Sequence, residues 1–235
     1  MITMNNKFYL GVDIGQVNDP TALCILELST RIKDKEQLAA WNYGLEATAI
    51  SLYEMRHLDQ WLGVSYFEQA DRIYQLVSRP EIARQTAVIV DATGVGRPLV
   101  DLLRQKRIPN LVPVIITGGD AAASVDEAGY YHVSKRDLVS AMIILYESER
   151  IQMSAQLPLT PALAAQIHNF KLKIRDGRET YEAMKSDEHD DLVIALALAA
   201  WYASKDNPHE KILQHTGNPR RRAAQDWNPL QTRAR

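Results

Sequence analysis

The chain of 235 residues is 46% hydrophobic and 24% charged, a balance that supports one large domain with a sizeable core and excludes global disorder. Its longest apolar run, residues 192–203, is 12 residues long, short of the roughly 18–20 that a membrane span needs. Residues 1–6 lack the basic-then-apolar layout of a secretory signal, and the lone Cys24 excludes a disulfide framework or a zinc site built on several cysteines. A cytoplasmic protein with no membrane partner is expected. The net charge of −2 conceals a division: from Lys205 onward seven basic residues face three acidic ones, so this stretch carries +4 and the preceding body −6.

In chain order, residues 8–14 (FYLGVDI) form an apolar run ending at Gly15, which predicts a buried strand. Residues 21–28 (TALCILEL) follow a turn-like segment and predict an antiparallel partner. Residues 45–55 are a third strand candidate, with the polar residues 30–43 read as a loop. Helical spacing of Phe67, Ala70, Ile73, Tyr74 and Val77 predicts a helix over 67–78, and residues 86–90 (TAVIV) a continuous buried strand. A helix over 98–106, a strand over 111–116 and helices over 135–150 and 161–170 follow. Residues 171–183 read as a hairpin turning at Asp176-Gly177. Residues 190–204 are apolar all round, which predicts a buried helix. Strands first, then alternating units, indicate an α/β fold with a mixed sheet. Residues 1–204 are expected to be that domain. Residues 205–235, with three prolines and the Arg220-Arg221-Arg222 run, are expected to be a flexible basic tail.

Acids stand where chemistry can use them. Asp13 lies near the end of the first strand, Asp91 closes the 86–90 strand, and Asp190 and Asp191 open the buried helix. A strand that is apolar to its last residue and then carries an aspartate exposes that acid at the sheet's carboxyl edge, where open α/β sheets bind ligands. Each acid alone has a structural explanation as a turn former or helix cap. Together they repel unless a cation neutralises them, and hard oxygen ligands suit Mg²⁺ or Mn²⁺. Gly94 and Gly96, like Gly15, also admit a phosphate-binding turn, but G-x-G-x-x-G is incomplete, because position 99 is Leu, and no Walker A lysine follows.

The segments Gly11-Val12-Asp13-Ile14-Gly15, Val90-Asp91-Ala92-Thr93-Gly94-Val95-Gly96 and His189-Asp190-Asp191-Leu192-Val193 with its alanine-rich continuation resemble the nuclease domain of phage terminase large subunits. The resemblance runs from about Phe8 to Ala203 and implies a ribonuclease H-like fold, shared with Holliday-junction resolvases and retroviral integrases. It implies metal-dependent endonucleolytic cutting of concatemeric double-stranded viral DNA during genome packaging, in the host cytoplasm. Asp13, Asp91 and Asp190 or Asp191 would then hold two Mg²⁺ or Mn²⁺ ions, with Asp13 bridging and Asp191 favoured over Asp190. A full terminase places an ATPase motor before this domain. The chain begins almost at the first nuclease strand, so a separate ATPase motor subunit and a portal are the expected partners.

Further residues are assigned around this centre. His189 is read as a proton shuttle or water-orienting group, or else a plain loop histidine. Lys135 and Arg136, at a helix start, are candidates for DNA phosphate, and Lys173, Arg175 and Arg178 for a basic β-ribbon gripping a duplex. Asp19 and Asp120 suit turn roles, and Cys24 a core position. Two other functions stay open at this point: an actin- or sugar-kinase-like nucleotide-binding domain, and a non-catalytic adaptor that kept the fold.

Overall fold

The computed structural model describes residues 2–15, 19–32, 49–119, 121–175 and 190–207. Strands β1 (Ile2–Asp13), β2 (Thr21–Ile32) and β3 (Ala49–Trp61) come first, followed by α1 (Tyr66–Val77) and β4 (Thr86–Asp91). A 3₁₀ turn (Gly94–Gly96) leads into α2 (Arg97–Gln105), then β5 (Leu111–Thr117), the short β6 (Ser124–Val125) and β7 (Tyr131–Ser134). Next come α3 (Lys135–Glu147), β8 (Ile151–Gln152), α4 (Thr160–Arg175) and α5 (Asp191–Asp206). The eight strands form one mixed sheet in the order β6-β7-β5-β4-β1-β2-β3-β8. β1, β2 and β3 are successively antiparallel, whereas β4 runs parallel to β1, and β5 and β7 continue in that direction.

Helices cover both faces, which is why the central strands read as nearly continuous apolar runs. Period-two alternation sorts their side chains. Tyr9, Ala22, Cys24 and Ile89 join the core with α3, α4 and α5, whereas Phe8, Leu10, Val12, Val88 and Val90 join the core with α1 and α2. α5 packs against β1, β2 and α3, and every residue from Leu192 to Trp201 is buried. Its all-round hydrophobicity follows from this placement.

Several expectations need correction. β3 ends at Trp61 rather than Met55, because the antiparallel ladder matches Trp61 to Thr21, the first residue of β2. Its last six residues are mostly polar and, apart from the buried Leu58, at least partly exposed, which hid them. Residues 30–32, read as loop, belong to β2. The basic β-ribbon expected over 171–183 is not there in its first part: Lys173 and Arg175 lie in the closing turns of α4, while residues 176–183, Arg178 among them, lie outside the described residues. Strands β6, β7 and β8 have two to four residues each, too short to show a period. α5 continues past Ser204 to Asp206; of the expected tail, residues 208–235 lie outside the described residues. Among the described residues no helix is long and apolar enough to cross a membrane.

Candidate active site

Register brings the first two acids together. β1 and β4 pair in parallel through Val12 opposite Val90, so the next residue of each strand is an aspartate on the same edge. Asp13 and Asp91 follow the parity of Tyr9, Gly11 and Ile89, and therefore face the layer that contains α5.

Gly11 lets that helix close in. A Cβ at Gly11 would stand 2.0 Å from the Ala195 carbonyl oxygen and 2.9 Å from the Ala199 amide nitrogen, closer than any side chain permits. Small residues one turn apart on α5 therefore rest directly on the β1 backbone. This close approach carries the helix start, with Asp190 and Asp191, over the end of β1.

The charges of Asp91, Asp191 and Asp190 all act on Asp13. Burial is the largest influence and, with these three neighbours, raises the Asp13 carboxyl well above the usual aspartate range; Lys135 opposes the shift. Asp91 is likewise raised, chiefly by burial, and is lowered in part by Thr93 and Lys135. The Asp13 shift follows from withdrawing a carboxylate from water and crowding it with others, the Asp91 shift from burial.

The surrounding donors fix individual oxygens. The Thr93 amide donates to Asp91 Oδ1 at 2.8 Å, and the Thr93 hydroxyl accepts from the Ile116 amide at 2.8 Å. Asp91 thus shapes its own turn, and Thr93 ties that turn to β5. A Cβ at Gly96 would lie 2.1 Å from the Asp91 carbonyl oxygen, so this glycine allows the turn to fold back on the strand end. That packing role accounts for Gly96 without a bound phosphate. Across the sheet, Gln60 Nε2 donates to Asp191 Oδ2 at 3.3 Å, and Lys135 Nζ to Asp190 Oδ2 at 3.2 Å.

The expected residues are placed as follows. Asp13, Asp91, Asp190 and Asp191 converge on one edge. Lys135, assigned from sequence to DNA phosphate, sits among these acids, whereas Arg136 is exposed on the same helix turn. His189 and Asp120 lie outside the described residues, Asp19 is exposed, and Cys24 is buried. Gln60 and Thr93 were not anticipated. Thr93 carries a readable signal, two residues after an aspartate that ends a strand; Gln60 carries none, since β3 was expected to end before it.

Chemically, the edge offers hard carboxylate oxygens whose mutual repulsion a divalent cation of the Mg²⁺ or Mn²⁺ type would relieve, so the donor set fits such an ion. Among the described residues, however, no three His, Cys, Asp or Glu side chains are arranged to hold an ion without adjustment. Asp190 and Asp191 are instead engaged by Lys135 and Gln60.

Residues 52–202 match the family model described as the terminase RNaseH-like domain. No curated protein matches the chain. Similar solved structures include the large terminase nuclease from thermophilic phage G20c, at 18% identity over 83% of this chain and 81% of that one, with a TM-score of 0.47. The same nuclease with bound zinc gives 19% identity, 83% and 80% coverage and a TM-score of 0.45. The large terminase nuclease domain from bacteriophage SPP1 with bound manganese gives 15% identity, 86% and 87% coverage and a TM-score of 0.45.

Proposed function

Because the chain belongs to the terminase RNaseH-like domain family, we propose that it is a divalent-metal-dependent endodeoxyribonuclease that cuts concatemeric viral DNA during genome packaging. The observation that carries this reading is the convergence of Asp13, Asp91 and the Asp190–Asp191 doublet on the carboxyl edge of adjacent parallel strands.

In this reading Asp13, Asp91 and Asp191 would hold the ions, Asp13 being the acid that the others crowd. Two Mg²⁺ or Mn²⁺ ions held there would activate the attacking water and stabilise the leaving 3′ oxygen. The chain's own contribution is positional. The β1–β4 register fixes the spacing of Asp13 and Asp91, and Thr93 orients the Asp91 carboxylate. Gln60 orients Asp191 from the far side of β2. His189 beside the doublet is the proposed water-orienting or proton-carrying group. Arg136, Lys173 and Arg175 are proposed DNA phosphate contacts, the latter two from a helix end rather than a ribbon. Double-stranded DNA, an ATPase motor and a portal are the proposed partners.

Supercoiled plasmid incubated with Mg²⁺ or Mn²⁺ tests the proposal. Nicking or linearisation that requires the ion and disappears in Asp13→Ala and Asp91→Ala is expected. Intact plasmid at every ion concentration, with folded protein, would leave the adaptor reading in its place.

A further inference from the structure

Lys135 occupies an unusual position. It is the first residue of α3, directly after the Ser134 N-cap, where the positive end of the helix dipole disfavours a cation. Arg136 beside it is a second cation but an exposed one, whereas Ser134 Oγ accepts from the Asp137 amide at 3.0 Å and Asp137 places an acid in the first turn. A local rule broken beside a site points to a requirement of the site. The ammonium reaches Asp190 Oδ2 at 3.2 Å and lies 6.0 Å from the centroid of the Phe170 ring. With 21% of its side chain exposed, it is sheltered rather than solvated. Its charge is also felt by both Asp13 and Asp91.

We infer that Lys135 is a positioning residue that serves as the internal counter-cation of the carboxylate cluster, anchored on Asp190 so that its positive charge opposes the entry of a divalent ion among Asp13, Asp91 and Asp191. The inference rests on the nuclease reading and deepens it. It accounts for the absence, among the described residues, of a ready three-ligand arrangement: one acid of the doublet is bound to an ammonium and the other to the Gln60 amide. Removing the ammonium leaves four crowded carboxylates without that balancing charge, which destabilises the metal-free protein and strengthens its demand for a divalent ion. Lys135 therefore competes with metal, opposite to the effect of an ordinary supporting residue.

The test measures Mn²⁺ binding through the free-ion electron paramagnetic resonance signal, together with thermal unfolding with and without Mn²⁺. It compares wild type, Lys135→Met, Lys135→Gln, Lys135→Arg and Asp13→Ala. Both neutral variants should bind Mn²⁺ at least about fivefold more tightly, the lower end of ordinary coupling between two sites. Their metal-free melting temperature should fall and their Mn²⁺-induced rise should grow, while Lys135→Arg stays near wild type. Unchanged or weaker Mn²⁺ binding in both neutral variants, with wild type binding and Asp13→Ala not, overturns this inference and leaves the nuclease reading intact. No saturable binding by wild type overturns the nuclease reading and this inference with it.

Discussion

The two ends of α5 handle charge in opposite ways. At its start, Asp190 and Asp191 crowd Asp13 and Asp91 around Lys135. At its finish, charges and polar groups are matched. Asp206 accepts from Lys7 Nζ at 3.0 Å and from the Tyr9 hydroxyl at 2.8 Å. Asn207 Nδ2 donates to Ser51 Oγ at 3.0 Å and to the Tyr53 hydroxyl at 3.2 Å. Lys205 lies 4.3 Å from the Tyr131 ring centroid and 5.2 Å from that of Trp201. One end therefore contributes stability, while the other spends it on a cluster that a cation would satisfy. The same helix serves both, buried between them from Leu192 to Trp201.

The largest expected effect breaks the comparison at the acidic end. Asp13→Asn should cut plasmid cleavage at least about 100-fold, the scale of losing a group that stabilises transition-state charge. The same change should raise the melting temperature of the metal-free protein, by about 2–4 °C for each kcal/mol of repulsion relieved. A variant that loses both activity and stability would show that repulsion does not strain the metal-free cluster.

Gly11→Ala attacks the joint between the two ends. The added methyl meets the α5 backbone, so a cost of about 1–3 kcal/mol is expected from overpacking. Displacement of Asp190 and Asp191 should also slow cleavage. Denaturant titration and the plasmid assay on the same preparation check both, and unchanged stability would show that α5 does not rest on β1 as described.

A change at the satisfied end should separate stability from function. Asn207→Ala removes the amide that donates to the buried Ser51 and Tyr53 hydroxyls, at a cost of about 1–3 kcal/mol. Cleavage per folded molecule should stay at the wild-type rate. Urea melts and activity at a temperature well below unfolding decide this.

The smallest effect lies in pH. The folded Asp13 and Asp91 carboxyls titrate above their ordinary range, so the folded state holds protons that the unfolded chain has released. Their contribution to stability is present below the ordinary aspartate value of about 3.9 and is lost as pH rises through the raised values. In chelator, the melting temperature of wild type should therefore decline relative to Asp13→Asn as pH rises from about 4. Parallel curves would refute the assignment.

Much of this was legible in the sequence because burial leaves strong patterns. The continuous runs at 8–14 and 86–90 marked β1 and β4, and an aspartate closing each marked the shared edge. The apolar stretch from Leu192 to Trp201 likewise marked a helix enclosed on all sides. Legibility failed where long-range pairing rather than local pattern decides. β3 extends through polar residues because β2 offers a partner, so Gln60 stayed hidden. The short strands β6 to β8 exist only as additions to an established sheet edge. Lys135 looked like a surface cation, since nothing local reveals that Asp190, 55 positions away, lies against it. The Lys173–Arg175 stretch was misread because Asp176-Gly177 is a strong turn signal. It outweighed the helical register of residues 171–175, which α4 continues.

Because Asp13 and Asp91 each directly follow the paired Val12 and Val90 on two hydrogen-bonded strands, their spacing is discrete. Slipping β1 by one residue against β4 would turn Asp13 through the sheet to the opposite layer. No intermediate separation lies between. The acid pair therefore cannot drift apart gradually as the protein warms or meets mild denaturant; it is either in register or lost with the sheet. Residual cleavage should track the fraction of folded molecules, each survivor working at full rate.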